Sequence, residues 1–182
     1  MCIRDRHLAH LAQLPQVLCH LDAYRANFFW QGDTLTVIDW EFAGMGALGE
    51  EMAAFVGATL LLDHVPMAEA PQLESVALDG YLAGLREAGW DGATDLVWQA
   101  YHAAMPLRYA LMSLISMCRT TVEPDFARHW VQTTGKPLEE ILAHRAEFIR
   151  FLVASGRHAT PITNYCSCLL YTSPSPRDRT RS

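Results

Sequence analysis

HLDAYRAN, residues 20–27, decides how this chain is read, together with TLTVIDW, residues 34–40. The first stretch has neither a helical nor a strand period, yet it gathers His20, Asp22 and Asn27 in one short run. The second is apolar and β-branched until it reaches Asp39. NFFW on one side and QGD in between complete the signature of a hairpin. With Gly32 and Asp33 as the two-residue turn, Gln31 opposes Thr34, and the ladder runs through Trp30–Leu35 and Phe28–Val37 to Asn27–Ile38. That register brings Asn27 and Asp39 together at the open end of the ribbon, with Asp22 close by in sequence. One amide oxygen and two carboxylates facing a common space form a hard, oxygen-only environment. It suits Mg²⁺, which takes few protein ligands and fills its shell with water and phosphate oxygens.

Outward from the corner, the chain turns helical. HLAHLAQL has apolar residues at helical spacing and stops at Pro15. Gly44, Gly46 and Gly49 read as a flexible segment leading into EEMAAFVGATLLLDHV, a buried helix with Glu50 and Glu51 at its positive end. Further helical patterns lie in EAPQLESVALDGYLAGLREAG, TDLVWQAYHAAMPLRYALMSLISMC and KPLEEILAHRAEFIRFLVAS, and Pro106 should kink or break the second of these. The expected fold class is therefore α+β and mainly α, with one short hairpin carrying the polar corner and a helical body behind it. GMGALG, residues 44–49, satisfies a dinucleotide-type glycine pattern. WEFA separates it from its strand, however, and no second parallel strand follows, so that reading is set aside.

The two ends read differently from the body. MCIRDR and CLLYTS back-translate to strings that match as reverse complements, the mark of one adapter read through on both sides. Residues 1–6 and 168–182 are thus expected to be adapter-derived, with 7–167 as the native body of a chain that began further upstream. Setting the ends aside removes five arginines and two aspartates, and moves the net charge from −6 to about −9. So acidic a body, with Lys136 as its one lysine, argues against nucleic-acid or anionic-membrane partners, and it fits a cationic small molecule weakly. The longest apolar run, MAAFVGATLLL, is too short to span a bilayer. Cys19, Cys118 and Cys166 lack metal-type spacing and read as reduced thiols of a cytoplasmic protein.

The pattern H-x-D-x-x-x-x-N followed by a strand ending in aspartate resembles the catalytic loop of kinase-like phosphotransferases. CHLDAYRANFFW with LTVIDWEFAG is most similar to the aminoglycoside phosphotransferase and choline kinase branch, over about residues 15–60. The resemblance implies the C-terminal lobe of a protein kinase-like fold, using ATP and Mg²⁺ to phosphorylate a hydroxyl of a small molecule such as an aminoglycoside, amino alcohol or sugar. In those roles Asp22 is the catalytic base, and Asn27 and Asp39 ligate the metal. His20 and Glu51 support the loop. Leu21 departs from the glycine usual in this branch and from the arginine of protein kinases. Ala47 and Leu48 replace an acidic residue and a proline, which bears on the acceptor pocket. No glycine-rich strand pair or strand-borne lysine precedes residue 15, so no nucleotide-binding residue is identified, and the chain by itself is expected to carry no useful kinase activity.

Other polar residues carry weaker signals. Glu41, at the mouth of the corner, could meet a cationic substrate or be solvated. His7 and His10 have a helical spacing that could bind metal, but no carboxylate accompanies them. Trp90, Trp98, Tyr101 and Trp130, with His102 and His129, fit core packing better than an acceptor site. Two rival readings remain: a kinase-like module that binds ligands without turnover, and a metal-dependent hydrolase using His20 and Asp22 as ligands.

Overall fold

The computed structural model describes residues 3–159. Helix α1, Ile3–Leu11, leads through a turn at Pro15 into strand β1, Gln16–Cys19. The loop of residues 20–27 follows, then β2, Phe28–Gln31, and β3, Thr34–Val37. Strand β4, Gly44–Ala47, precedes α2, Glu50–Leu61. The body continues with α3, Ala70–Glu87, α4, Thr94–Val122, α5, Pro124–Thr134, and α6, Leu138–His158. The adapter-like segment 168–182 and Cys166 lie outside the described residues, while residues 3–6 belong to α1.

The hairpin has the expected register, with Phe28 opposite Val37, Trp30 opposite Leu35 and Gln31 opposite Thr34. Beyond the assigned strands the Ile38 amide donates to the Asn27 carbonyl at 3.1 Å, which extends the ladder by one rung to the corner.

The glycine segment differs from expectation. Residues 44–47 form an antiparallel ladder with β1, pairing Cys19 with Gly44 and Gln16 with Ala47. The described residues thus hold two two-stranded sheets, not one hairpin. Glycines carry no strand signature, yet here they serve the pairing: a Cβ on Gly46 would sit 3.1 Å from Cys19 Sγ and 3.2 Å from Glu50 Oε2. The backbone comes this close because there is no side chain in the way.

Helix α4 is the spine of the body, packed most extensively against α6 and then α2. It runs through Pro106 without a break. The proline forgoes one ladder hydrogen bond, but its ring lies against Gly156 of α6 and helps knit the two helices together. The α2–α4 contact is equally close, since a Cβ on Gly57 would meet the Tyr109 ring at 2.1 Å. Val56, Leu60, Tyr101, Met105 and Phe148 are completely buried where these three helices meet. Helix α5 was not expected. It is held by Arg145 of α6, whose guanidinium lies 4.7 Å from the Trp130 ring centroid and donates to the Ser116 carbonyl and the Thr120 hydroxyl of α4. No helix among the described residues is long and apolar enough to cross a membrane.

Candidate active site

The loop between β1 and β2 is built around the peptide groups of His20 and Leu21. Glu51, in the first turn of α2, accepts both amides on one oxygen: His20 N at 2.5 Å and Leu21 N at 3.1 Å. Arg108 of α4 donates to the Leu21 carbonyl. Leu21 has φ 61, a left-handed conformation that costs a side-chain-bearing residue about 1–2 kcal/mol. Both polar groups of that residue are thus taken by helical side chains, which hold the strained conformation in place.

His20 is 6% exposed, and both its ring nitrogens are engaged. Nε2 donates to the Ile38 carbonyl at 2.7 Å, while Nδ1 accepts the Asp22 amide at 3.2 Å. These partners fix one tautomer. They also tie the loop to the end of β3, with the Trp40 ring edge-on to the imidazole at 4.7 Å. A ring so committed has no lone pair left for a metal, which removes the ligand that the hydrolase reading needs.

Asn27 is buried, and its amide nitrogen donates to the Asp22 carbonyl at 2.9 Å and to Asp22 Oδ2 at 3.1 Å. Asp22 thus engages the amide nitrogen and not the amide oxygen. Asp39 follows Ile38, whose backbone contacts both Asn27 and His20. It adopts φ 64 and ψ 58, which swings the chain from β3 into the single 3₁₀ turn Trp40–Phe42. Its carboxylate is exposed and forms no hydrogen bond among the described residues. The structure therefore joins Asp22 to Asn27 directly, and sets Asp39 at the adjoining end of the ribbon. Among the described residues no group of three His, Cys, Asp or Glu side chains forms a metal cage; with Asn27 as a third donor, the corner has two carboxylates. Its donor chemistry, an amide oxygen and two carboxylates free of basic partners, fits a hard divalent cation.

Beside Asp22 opens a cleft of about 460 Å³, lined by Tyr24, Ala58, Leu61, Leu62, Arg108 and Tyr109. Tyr109 is fixed by donation to the Ala54 carbonyl at 2.9 Å, and burial raises its pKa. Sequence reasoning missed Arg108 and Tyr109, which come from 87 residues downstream of the loop in the case of Arg108. A larger, apolar cavity of about 710 Å³ lies between α1, α4 and α6, but no residue of the corner lines it.

The remaining candidates fall elsewhere. Glu41 is exposed in the 3₁₀ turn. His7 is buried in α1, its pKa lowered by burial and then by His10. Tyr101 donates to Glu74 at 2.6 Å inside the body, and Trp98 packs on it, so neither faces the cleft. Cys19, buried behind the loop, has its thiol pushed up to about 11 by burial, then by Glu51 and Glu50. It stays protonated and unreactive.

The profile of the phosphotransferase enzyme family (APH) matches residues 2–96, just over half of the chain and all of the loop, hairpin and α2. No curated protein matches, and no solved structure does.

Proposed function

The chain belongs to the phosphotransferase enzyme family, and from that membership and the geometry of the corner we propose that it is the catalytic-loop part of an enzyme that transfers the γ-phosphate of ATP to a hydroxyl of a small molecule, with no useful kinase activity by itself. The observation that carries the reading is the Asn27 amide lodged on Asp22, beside a strand end that delivers Asp39. Asp22 is the general base in this reading. Its carboxylate lines the cleft, so an acceptor hydroxyl bound there can hand over its proton as its oxygen attacks phosphorus. Asn27 does two things: its nitrogen orients the carboxylate, and its oxygen joins Asp39 as a donor for Mg²⁺. When bound, that ion would draw charge from the phosphate oxygens. His20 and Glu51 touch no reactant and act as positioning residues for the loop. Lys136 pairs with Asp63 and takes no part in the corner. A cytoplasmic location accords with an ATP-using reaction.

The test is cation binding to the purified chain, with Mn²⁺ as a paramagnetic substitute for Mg²⁺. Line broadening should centre on Asn27 and Asp39, and Asp39→Asn should weaken binding at least about tenfold. Broadening centred on His20, or on His7 and His10, would contradict the assignment, as would binding indifferent to Asp39→Asn.

A further inference from the structure

We propose that the cleft beside Asp22 selects an acceptor bearing an oxyanion of its own, a carboxylate or a phosphate, in addition to the hydroxyl, and that Arg108 holds that group. This rests on the phosphotransferase reading and names the acceptor class that reading leaves open.

The argument begins with charge. Arg108 is partly buried in the cleft wall, and among the described residues no carboxylate lies within ion-pair distance of it. It donates one amino group to the Leu21 carbonyl and also hydrogen-bonds Tyr109, which leaves the remaining N–H groups of the guanidinium fork to be satisfied. A guanidinium partly removed from water without a counter-ion is costly, and a ligand anion offsets that cost. Among the described residues Asp22 is the one carboxylate lining the cleft, and the transfer needs it ionised and open to the hydroxyl. Tyr24, Tyr109, Ala58, Leu61 and Leu62 supply aromatic and apolar wall between the two charges.

Such a cleft is a poor host for a polycation. Ammonium groups would face Arg108 and find one carboxylate, already committed as the base. The acidity of the whole chain lies elsewhere, so net charge misleads about the acceptor. A hydroxy acid with an apolar body meets every wall: hydroxyl on Asp22, oxyanion on Arg108 in the fork geometry guanidinium favours, carbon skeleton on Leu61 and Leu62. The same guanidinium chemistry would also suit the phosphoryl group in transit, and the two sources are separable.

The experiment titrates the purified chain, labelled at arginine side chains, with four probes: 3-phenyllactate, the neutral 3-phenylpropane-1,2-diol, kanamycin as a polycation, and inorganic phosphate with and without Mg²⁺. Phenyllactate should shift the Arg108 Nε signal and the Tyr24 and Tyr109 rings, and bind at least about tenfold more tightly than the diol. Arg108→Gln should bring phenyllactate down to the level of the diol, while Arg108→Lys retains part of the difference. Hydrogen exchange at the Leu21 amide reports whether either variant has released the loop, and the wild-type comparison of phenyllactate with the diol stands whatever the variants do. Equal binding of acid and diol, or tighter cleft binding by kanamycin, overturns the proposal. Phosphate that reaches Arg108 only with Mg²⁺, and that phenyllactate does not displace, assigns the residue to the phosphoryl group and also overturns it. Mn²⁺ binding at Asp39 is read independently, so failure here leaves the phosphotransferase reading standing.

Discussion

Glu51 offers the sharpest test of how the corner is held. One carboxylate oxygen accepts the amides of His20 and Leu21, and the other is buried without a hydrogen-bond partner. Hydrogen bonds to a charged group contribute roughly 1.5–3 kcal/mol each. The His20 amide, in a residue 6% exposed, has no route to water, so Glu51→Ala costs about 2–3 kcal/mol there. Leu21 is partly exposed, and water can replace much of its bond, leaving about 1 kcal/mol. Deleting the orphaned oxygen returns about 1 kcal/mol of burial penalty. The net expectation for Glu51→Ala is a loss of about 2–3 kcal/mol. Glu51→Gln keeps a neutral acceptor and should cost about 1 kcal/mol.

Urea denaturation followed by circular dichroism measures both variants, and hydrogen exchange at the His20 and Leu21 amides locates the effect. Exchange there should quicken in Glu51→Ala before it does in the α4–α6 core. A second readout is independent of stability: removing the Glu51 charge should lower the Cys19 thiol from about 11, since Glu51 is the largest cause of its elevation after burial. Glu51→Ala within about 0.5 kcal/mol of wild type, with unchanged exchange at both amides, would refute the bracing role.

Two further outcomes are expected. Gly57→Ala drives a methyl into the Tyr109 ring, so it should destabilise the fold by about 1–3 kcal/mol and shift the Tyr109 resonances; an unperturbed melting temperature would contradict the close α2–α4 contact. His102 has its pKa pushed down to about 4 from an ordinary 6.5, by burial and then by His158. The unfolded chain takes up that proton near pH 6.5, so this contribution to stability is complete above 6.5 and declines as pH falls towards 4, by at most about 1.4 kcal/mol per pH unit before allowing for partial exposure. Wild type should therefore lose more stability than His102→Gln between pH 7.5 and pH 5, and equal losses would sink the assignment.

The hairpin was legible because Gly32 and Asp33 set both turn and register between an aromatic run, residues 27–30, and a β-branched run, residues 34–38. From that register Asn27 and Asp39 could be placed at one end without any tertiary information. Strand β4 was not legible, because glycine pairs through its backbone and leaves no side-chain period to detect. Helix α5 carries terminal signals of its own, Pro124 at its first position and Gly135, at φ 69, just past its end. Pro106 leaves α4 unbroken, and nothing in the sequence shows that its ring meets Gly156 of α6. Arg108 lay beyond any sequence argument, since nothing in RYALMS says which helix face meets a loop so far away.

Arg108 and Glu51 together explain why the loop tolerates leucine at position 21. The left-handed twist of Leu21 presents its N–H to α2 and its C=O to α4, so an anion and a cation from different helices grip opposite sides of one residue. A glycine there would relieve the strain but would also widen the loop's conformational range. With leucine, the strain is small beside two charge-assisted hydrogen bonds, and the side chain packs over Gly44 and Gly46 of β4. The second sheet is thereby part of the corner: its glycines leave room for Leu21, Leu21 sets the loop, and the loop aims Asp22. Loss of any one of these contacts should be felt at the Asp22 carboxylate, although β4, α2 and α4 supply no proton and no metal donor.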